Sequence, residues 1–253
     1  MYRFLLSVRW IGFAVFVLVL AAVCTRLGFW QFHRLEHRLD QNTIVRAHLE
    51  QDPVELSQAL RPGDSVDDDS EFTQVQATGT YDVEHEVTVK FTTRDGAPGV
   101  DVVTPFVLSS GEAVLVDRGW QESRNTVARP DVPAPPAGEV TITGWLRKDS
   151  GAQGEAVRPI DGQIRAISSK GFARSVPYDL LEGYLNLRSE DPAPAEKLAA
   201  EPRPDLGQGP HFFYALQWWF FALLAVVGYF WFARSEAKER RNPNRVDNFA
   251  KAE

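Results

Sequence analysis

Residues 10–30 read WIGFAVFVLVLAAVCTRLGFW, and residues 212–233 read FFYALQWWFFALLAVVGYFWFA. The first segment contains one charged residue, Arg26, and the second contains none. A helix rises about 1.5 Å per residue, so each segment would extend about 30 Å, which is the thickness of the hydrocarbon core of a bilayer. The two segments therefore predict two transmembrane helices on either side of an extramembrane domain, residues 31–211.

The charge of the chain is divided unevenly between its ends and its middle. Residues 1–9 contain two arginines and no acid, and residues 234–253 contain six Lys and Arg against four Asp and Glu. Residues 31–211 contain 18 Lys and Arg against 30 Asp and Glu, a net charge near −12, which argues against a nucleic-acid partner. Basic flanks of transmembrane helices stay in the cytoplasm. We therefore expect a multi-pass protein of the cell (plasma) membrane, with cytoplasmic termini (1–9 and 234–253) and a periplasmic or other extracytoplasmic domain.

The single cysteine, Cys24, lies inside the first apolar segment, so the outer domain has no disulfide and depends on its own hydrophobic core. A cleaved signal sequence, or a lipoprotein signal ending at Cys24, is the alternative interpretation of this segment. Val23 is bulkier than the residue that lipoprotein processing needs, and the apolar run continues beyond the cysteine. These two features favour an uncleaved membrane anchor.

Hydrophobic periodicity predicts the elements of the outer domain. Phe32, Leu35 and Leu39 repeat at helical spacing, so the first helix should continue to about residue 51. Period-two alternation then predicts strands at 86–91, 99–108, 113–120 and 140–145, with shorter candidates at 164–167 and 184–187. The fold class that we expect is an α+β membrane protein whose two terminal transmembrane helices flank a mainly antiparallel β domain, a small barrel or a sandwich.

Two details of this pattern are specific enough to be checked. In the first predicted strand, Val87, Val89 and Phe91 should face the core, whereas the alternating residues Glu86, Thr88 and Lys90 should face water. The sequence SSGE at 109–112 should form the turn of a hairpin between the second and third strands.

The motifs of the common enzyme classes are absent from the sequence. Histidines, which can bind a metal or a haem iron, are therefore the main candidates for a chemical role. His33 and His37 are four residues apart, which would allow a shared metal, although exposed polar side chains on a charged helix have the same spacing. His211 directly precedes the second apolar segment, where an imidazole among aromatic rings suits a flat, iron-containing ligand. A polar residue that caps the helix at the headgroups is the alternative for His211.

Three segments of the chain form a pattern when they are taken in order. They are LGFWQFHRL at 27–35, then GTYD at 79–82 with TPF at 104–106 and VLVDRGW at 114–120, and finally HFFYALQW at 211–218. Their order and their placement at both membrane boundaries resemble the LGxWQxxR, GxYD…TPF…VLVNRGW and HxxYAxQW motifs of the Surf1/Shy1 family of cytochrome c oxidase biogenesis factors. The chain departs from that pattern at Asp117, where the family usually has Asn, and at Gln121, where it has an apolar residue.

The resemblance implies a protein that assembles or stabilises an aa3-type cytochrome c oxidase and catalyses no reaction itself. It implies haem a as a transient cofactor that is presented to the catalytic subunit, with His211 as the candidate iron ligand and Tyr214, Gln217 and Trp218 beside it. A permanent accessory subunit of an oxidase or of a respiratory supercomplex is the alternative function.

The implied partners are the bilayer and the cytochrome c oxidase subunits, most directly the haem–copper catalytic subunit. We expect the contacts to involve the exit of the first helix and the Arg-Gly-Trp triplet, namely Gly28, Trp30, Gln31, Arg118 and Trp120. The triplet should end a strand, where the guanidinium of Arg118 would present a fork to a carboxylate or a haem propionate. A purely structural strand end is the alternative for the triplet.

Overall fold

The computed structural model describes residues 3–124 and 129–241. The chain forms two compact units. The helical unit comprises Met1–Asp40 and Gly207–Glu253, and the β unit comprises Gln41–Leu206.

Two long helices make up most of the helical unit. They are α1 (Val8–Glu50), of which residues 41–50 belong to the β unit, and α4 (His211–Arg241). Both helices are long and apolar enough to cross a membrane, which is consistent with membrane localisation. Near the N-terminal end of α1, Trp10 packs edge-to-face on Tyr229 with ring centroids 5.8 Å apart, in a cluster that also includes Ala233 and Ala237. These contacts hold α1 and α4 together within the unit.

The β unit is built on eight strands. They are β1 (Val54–Glu55), β2 (Gln74–Tyr81), β3 (Val87–Arg94), β4 (Ala97–Leu108), β5 (Ala113–Glu122), β6 (Val140–Arg147), β7 (Gln163–Ile164) and β8 (Leu180–Asp191). Two short helices, α2 (Leu56–Ala59) and α3 (Ser169–Phe172), and the 3-10 turns Val83–His85, Gly154–Ala156 and Ala173–Ser175 lie between them. A further 3-10 turn, Arg3–Leu6, precedes α1.

The strands form one mixed sheet in the order β1-β2-β6-β8-β5-β4-β3-β7. Most neighbours are antiparallel, but β1/β2, β3/β7 and β5/β8 are parallel. A short antiparallel pairing of β2 with β4 brings the sheet back towards itself. The α+β class is therefore confirmed, although the mixed sheet is not a clear barrel.

The central strand β5 is covered on both faces. Val114 and Val116 belong to one apolar cluster, around Phe106, Ile142 and Leu185, and Leu115 belongs to a second one. Because successive side chains of a strand point to opposite faces, the two clusters lie on opposite sides of β5. Two charged residues of this strand, Asp117 and Arg118, consequently lie in a buried environment.

The hairpin turn at 109–112 is confirmed, since β4 and β5 pair antiparallel on either side of it. The predicted inward orientation of Phe91 is wrong, because its side chain is 58% exposed. The pairing of β3 with β4 shifts register between Val89 and Thr92, and Phe91 adopts a φ of 67° in this bulge. An extra residue in one strand reverses the alternation of the side chains that follow it.

The predicted water-facing side of β3 is also wrong at two positions. Thr88 and Glu86, the residue that precedes β3, are both buried. Thr88 lies between β4 and β7, and its N–H donates to the carbonyl of Gly162. Alternation predicts a solvated face only for a sheet that is open on one side, and this part of the sheet is covered on both.

Candidate functional site

His211 is the first residue of α4 and is fixed by a residue of α1. Its Nδ1 lies 2.9 Å from Oε1 of Gln31, and both residues belong to the helical unit. A side-chain amide oxygen can only accept a hydrogen bond, so Nδ1 carries the proton and donates it. The lone pair then remains on Nε2, which is the state in which an imidazole can bind a metal ion.

The aromatic residues that follow His211 include two on its own face of α4. Tyr214 and Trp218 lie three and seven residues after His211, which is the spacing of one helical face. Tyr214 is exposed and Trp218 is half-buried, with its ring edge-to-face against Phe221 at 6.0 Å. Gln217 is also exposed. The face beyond His211 thus offers aromatic surface on which a flat ligand can lie.

Gly28 of α1 packs against the indole of Trp219 on α4. A Cβ atom on Gly28 would lie 2.2 Å from Nε1 of Trp219, so any side chain there would require the indole to move. The rings of Phe29 and Phe32 flank the same indole, with centroids 5.6 and 6.1 Å away. The ring that packs on Gly28 therefore belongs to this chain. Partner contact at Gly28 stays a prediction.

Trp30 and His33 point away from this packing. The Trp30 side chain is half exposed, and the guanidinium of Arg34 lies 5.4 Å from its ring centroid. His33 is exposed, and its Nδ1 lies 3.1 Å from Oε2 of Glu36, one turn further along α1. This local pairing corresponds to the solvated alternative for the two helix histidines.

In the β unit, Arg118 occupies a β-bulge. Val102 pairs with Gly119 and Val103 with Asp117, so Arg118 is the extra residue of β5 at this point. Bulges re-aim side chains, and here the side chain of Arg118 is only 2% exposed. The expectation that Arg118 stands at a strand end with an open fork is wrong, because β5 continues to Glu122 and is covered on both faces.

The guanidinium of Arg118 is engaged inside the protein. Its Nη1 donates to Oε2 of Glu86 at 2.8 Å, and its Nη2 donates to the carbonyl of Pro133 at 2.9 Å. Thr104 and Arg129 also donate to the Glu86 carboxylate. This network connects Arg118 of β5 with Thr104 of β4 and with Glu86, the residue before β3. A role of Arg118 in partner contact stays a prediction.

Gly119 and Trp120, the other two residues of the triplet, contact the proline-rich segment, residues 192–206. The N–H and carbonyl of Trp120 pair with the carbonyl and N–H of Ala199 at 2.8 and 2.9 Å. Gly119 has a φ of 129°, and a Cβ there would lie 2.7 Å from the carbonyl oxygen of Ala199. The indole of Trp120 covers Gly99, and Arg94 lies 5.8 Å from its ring centroid. The triplet thus anchors the proline-rich segment on β5.

Three carboxylates converge beside this anchor. Asp101, Asp117 and Glu201 have oxygens within 4.8 Å of one another, and Arg94 pairs with Asp101 and Glu201 at 2.9 and 2.5 Å. Burial, reinforced by the charges of Asp101 and Glu201, raises the pKa of Asp117 to about 8. Arg94 bridges two of the acids, and the raised pKa keeps the third, Asp117, protonated at neutral pH, which reduces the repulsion among them.

Sequence reasoning misses three features of these sites. The His211–Gln31 bond joins residues 180 positions apart, and the alternation around β3 assigns the buried Glu86 to a solvated face. The clustering of Asp117 with Asp101 depends on a tertiary arrangement that periodicity does not report. Two signals of these features are present in the sequence. Gln31 and His211 both lie in motifs at the membrane boundaries, and Asp117 stands where the family pattern has Asn.

Comparison with known proteins extends over most of the chain. The model of the SURF1 family matches residues 18–223. Uncharacterized SURF1-like proteins of Mycobacterium bovis and Mycobacterium tuberculosis are each 31% identical over 242 residues, which cover 94% of this chain and 88% of theirs. A SURF1-like protein of Dictyostelium discoideum is 30% identical over 117 residues, which cover 44% of this chain and 43% of its own. The chain belongs to the SURF1 family.

Proposed function

We propose that this protein assists the assembly or stabilisation of an aa3-type cytochrome c oxidase by presenting haem a to the catalytic subunit. The SURF1 family is generally linked to cytochrome oxidase assembly, which supports the first part of the proposal. We further propose that it acts in the plasma membrane with both termini in the cytoplasm and that it catalyses no reaction itself.

The observation that carries the haem part is the hydrogen bond between His211 and Gln31. It leaves Nε2 as the unprotonated nitrogen of a half-buried imidazole. Haem iron accepts an imidazole nitrogen as an axial ligand, and a partner on the other ring nitrogen orients the ring and raises its basicity. His211 and Gln31 therefore fit the requirements of one axial ligand and its support.

The surroundings of His211 also suit this cofactor. Phe212, Phe213 and Tyr214 follow it directly and expose their rings. Aromatic side chains at a membrane boundary combine apolar area with polar edges, which suits a macrocycle with an apolar tail and charged propionates. A single protein ligand suits transfer, since only one bond to the iron must break on release.

The decisive experiment compares two histidine variants of the full-length chain after co-expression with haem a synthesis. His211→Ala should abolish the Soret absorption of the purified protein and lower the haem content of the oxidase. His33→Ala removes an exposed imidazole from α1 and is the matched control, which should retain both. A colourless wild-type protein, together with normal oxidase assembly by the His211 variant, would contradict the haem role.

A variant of the supporting residue separates ligation from packing. Gln31→Leu keeps a side chain of similar size but removes the acceptor of the Nδ1–H bond. Loss of such a supporting partner typically lowers metal affinity about 10- to 100-fold. We expect haem retention to weaken to that extent and the Soret band to persist at high haem concentration.

The amount of protein recovered with the oxidase distinguishes the proposal from its alternative. A biogenesis factor should be substoichiometric in mature oxidase preparations and enriched in preparations of incompletely assembled enzyme. Equal recovery with the mature oxidase, from a colourless protein, would instead support a permanent accessory subunit.

A further inference from the structure

A cavity of about 140 Å³ lies in the β unit beside the bulge of β5. Arg118 and residues 187–190 of β8 line one part of it, and residues of the proline-rich segment, among them Lys197, line the rest. About 10–15 Å³ of such space is enough to hold one water molecule. The cavity therefore has room for a group of a few non-hydrogen atoms.

Arg118 lines this cavity with a guanidinium that is engaged inside the protein. Both Nη atoms donate to protein acceptors, but the buried Nε has no acceptor among the residues that the structure describes. Arg118 therefore contributes its positive charge to the cavity, whereas the exposed side chains of Arg188, Ser189 and Lys197 carry the donors that a ligand can reach.

The charges around the cavity favour a ligand with a single negative charge. Three cations, Arg118, Arg188 and Lys197, and two acids, Glu190 and Glu196, line it. Glu86, which pairs with Arg118, is also held by Arg129, so it does not cancel the charge of Arg118 alone. One positive charge is therefore left over, and a dianion would be repelled by the two acids.

The individual cations remain available for such a ligand. Arg188 donates Nη1 to the carbonyl of Glu201 and stacks on Trp145 at 4.1 Å, and neither contact neutralises its charge. Lys197 forms no hydrogen bond or ion pair with the described residues and acts on Glu190 at longer range. Glu190 itself accepts a hydrogen bond from Tyr81 at 2.9 Å.

We propose that this cavity binds a monocarboxylate group through Arg188 and Lys197, with Ser189 as an additional donor and with the positive charge of Arg118 behind them. A carboxylate has the planar pair of acceptors that a guanidinium recognises, and it carries the one negative charge that the lining lacks. Three sources carry this group: a free small acid, a haem propionate and an acidic side chain of a partner protein. Only the last two sources rest on the proposed function.

Binding is tested on the full-length protein in detergent with [1-13C]propionate as the probe. The carboxyl resonance should broaden saturably in the presence of the wild-type protein, and the neutral isostere propionamide should not compete. Lys197→Gln should weaken propionate binding about tenfold, as expected for one charge-assisted hydrogen bond. Lys90→Gln makes the same charge change outside the cavity, on β3, and should bind like wild type.

Equal effects of the two lysine variants, or equal binding of propionate and propionamide, would overturn the proposal. His211→Ala should leave propionate binding intact, so a failure of the haem hypothesis is distinguishable from a failure of this one. The Lys197→Gln variant, with its weaker propionate binding, also identifies the source of the carboxylate. Lower haem retention than wild type identifies a haem propionate, and weaker recovery of the oxidase identifies a partner side chain. If haem retention and oxidase recovery are both unchanged, the ligand is a free acid.

Discussion

At the scale of the residue, Asp117 stands out because its carboxyl is buried and has a raised pKa. Its carboxyl is buried, accepts hydrogen bonds from the Gly119 N–H and from Nδ2 of Asn186, and still has a pKa raised to about 8. Burial and the charges of Asp101 and Glu201 outweigh the two hydrogen bonds and Arg94. The folded protein therefore holds a proton on Asp117 at neutral pH.

This proton makes stability depend on pH with a defined sign. An unfolded Asp titrates at about 3.9, so between about pH 4 and 8 the folded state binds a proton that the unfolded state has lost. The contribution of Asp117 to the free energy of unfolding is therefore greatest below about pH 4 and falls as the pH rises to about 8. Asp117→Asn should flatten the decline of the melting temperature between about pH 5 and 8.

The control for this prediction is Asp95→Asn, in the exposed turn between β3 and β4. It makes the same chemical change at the surface and should leave the pH profile parallel to that of wild type. Parallel profiles for the Asp117 variant and wild type would mean that the carboxyl is already ionised in the folded protein.

Gly119 is required by both its backbone conformation and its surroundings. Gly119→Ala would strain a φ of 129° and place Cβ 2.7 Å from the carbonyl oxygen of Ala199. We expect the free energy of unfolding to fall by about 3 kcal/mol and proteases to cleave the proline-rich segment more readily. Gly111→Ala, at a φ of 97° with open space around it, should cost only about 1 kcal/mol. Similar melting temperatures for the two variants would contradict a role of Gly119 in anchoring that segment.

Local sequence patterns identify the important residues, but they do not predict whether those residues are buried or which residues pack around them. The pattern marks Arg118, Gly119 and Trp120 as a unit, but their positions in a bulge of a doubly covered strand depend on the register of β4 against β5. Register is decided by tertiary packing, which a local pattern does not contain. The same limit explains why alternation wrongly assigns Phe91 to the core.

At the scale of the element, the long helices and the β4–β5 hairpin are predictable because their signals are long or local. The apolar runs exceed what a water-soluble helix exposes, and a four-residue turn between two alternating segments has few other solutions. The parallel pairings of β1, β7 and β8 join segments that are distant in sequence. Such pairings leave no local mark, which explains why the sequence does not reveal the mixed character of the sheet.

Packing between α1 and α4 depends on Gly28. Gly28→Leu would drive a side chain into the indole of Trp219 and separate the helices where His211 meets Gln31. We expect a lower melting temperature and reduced haem retention, because small residues allow close helix packing in membranes. Gly12→Leu, at a glycine of α1 with no neighbour within 4 Å, is the matched control.

A double variant tests the mechanism of this effect. Trp219→Ala removes the ring that a leucine side chain at position 28 would strike. Combining Gly28→Leu with Trp219→Ala should therefore destabilise the protein less than the sum of the two single variants. Additive losses would indicate that Gly28 acts through a different neighbour, such as a partner protein.

At the scale of the whole molecule, the charge distribution predicts how the chain lies in the membrane. The basic termini should face the cytoplasm and the acidic β unit should face outward. Single cysteines introduced into a Cys24→Ser background report this arrangement in the full-length protein. Ser109→Cys, in the exposed turn between β4 and β5, should react with a membrane-impermeant maleimide in intact cells. Ala252→Cys, in the basic tail, should react only after the cells are opened. Labelling of both positions from the same side would rule out a two-helix hairpin, and labelling of the tail alone would reverse its orientation.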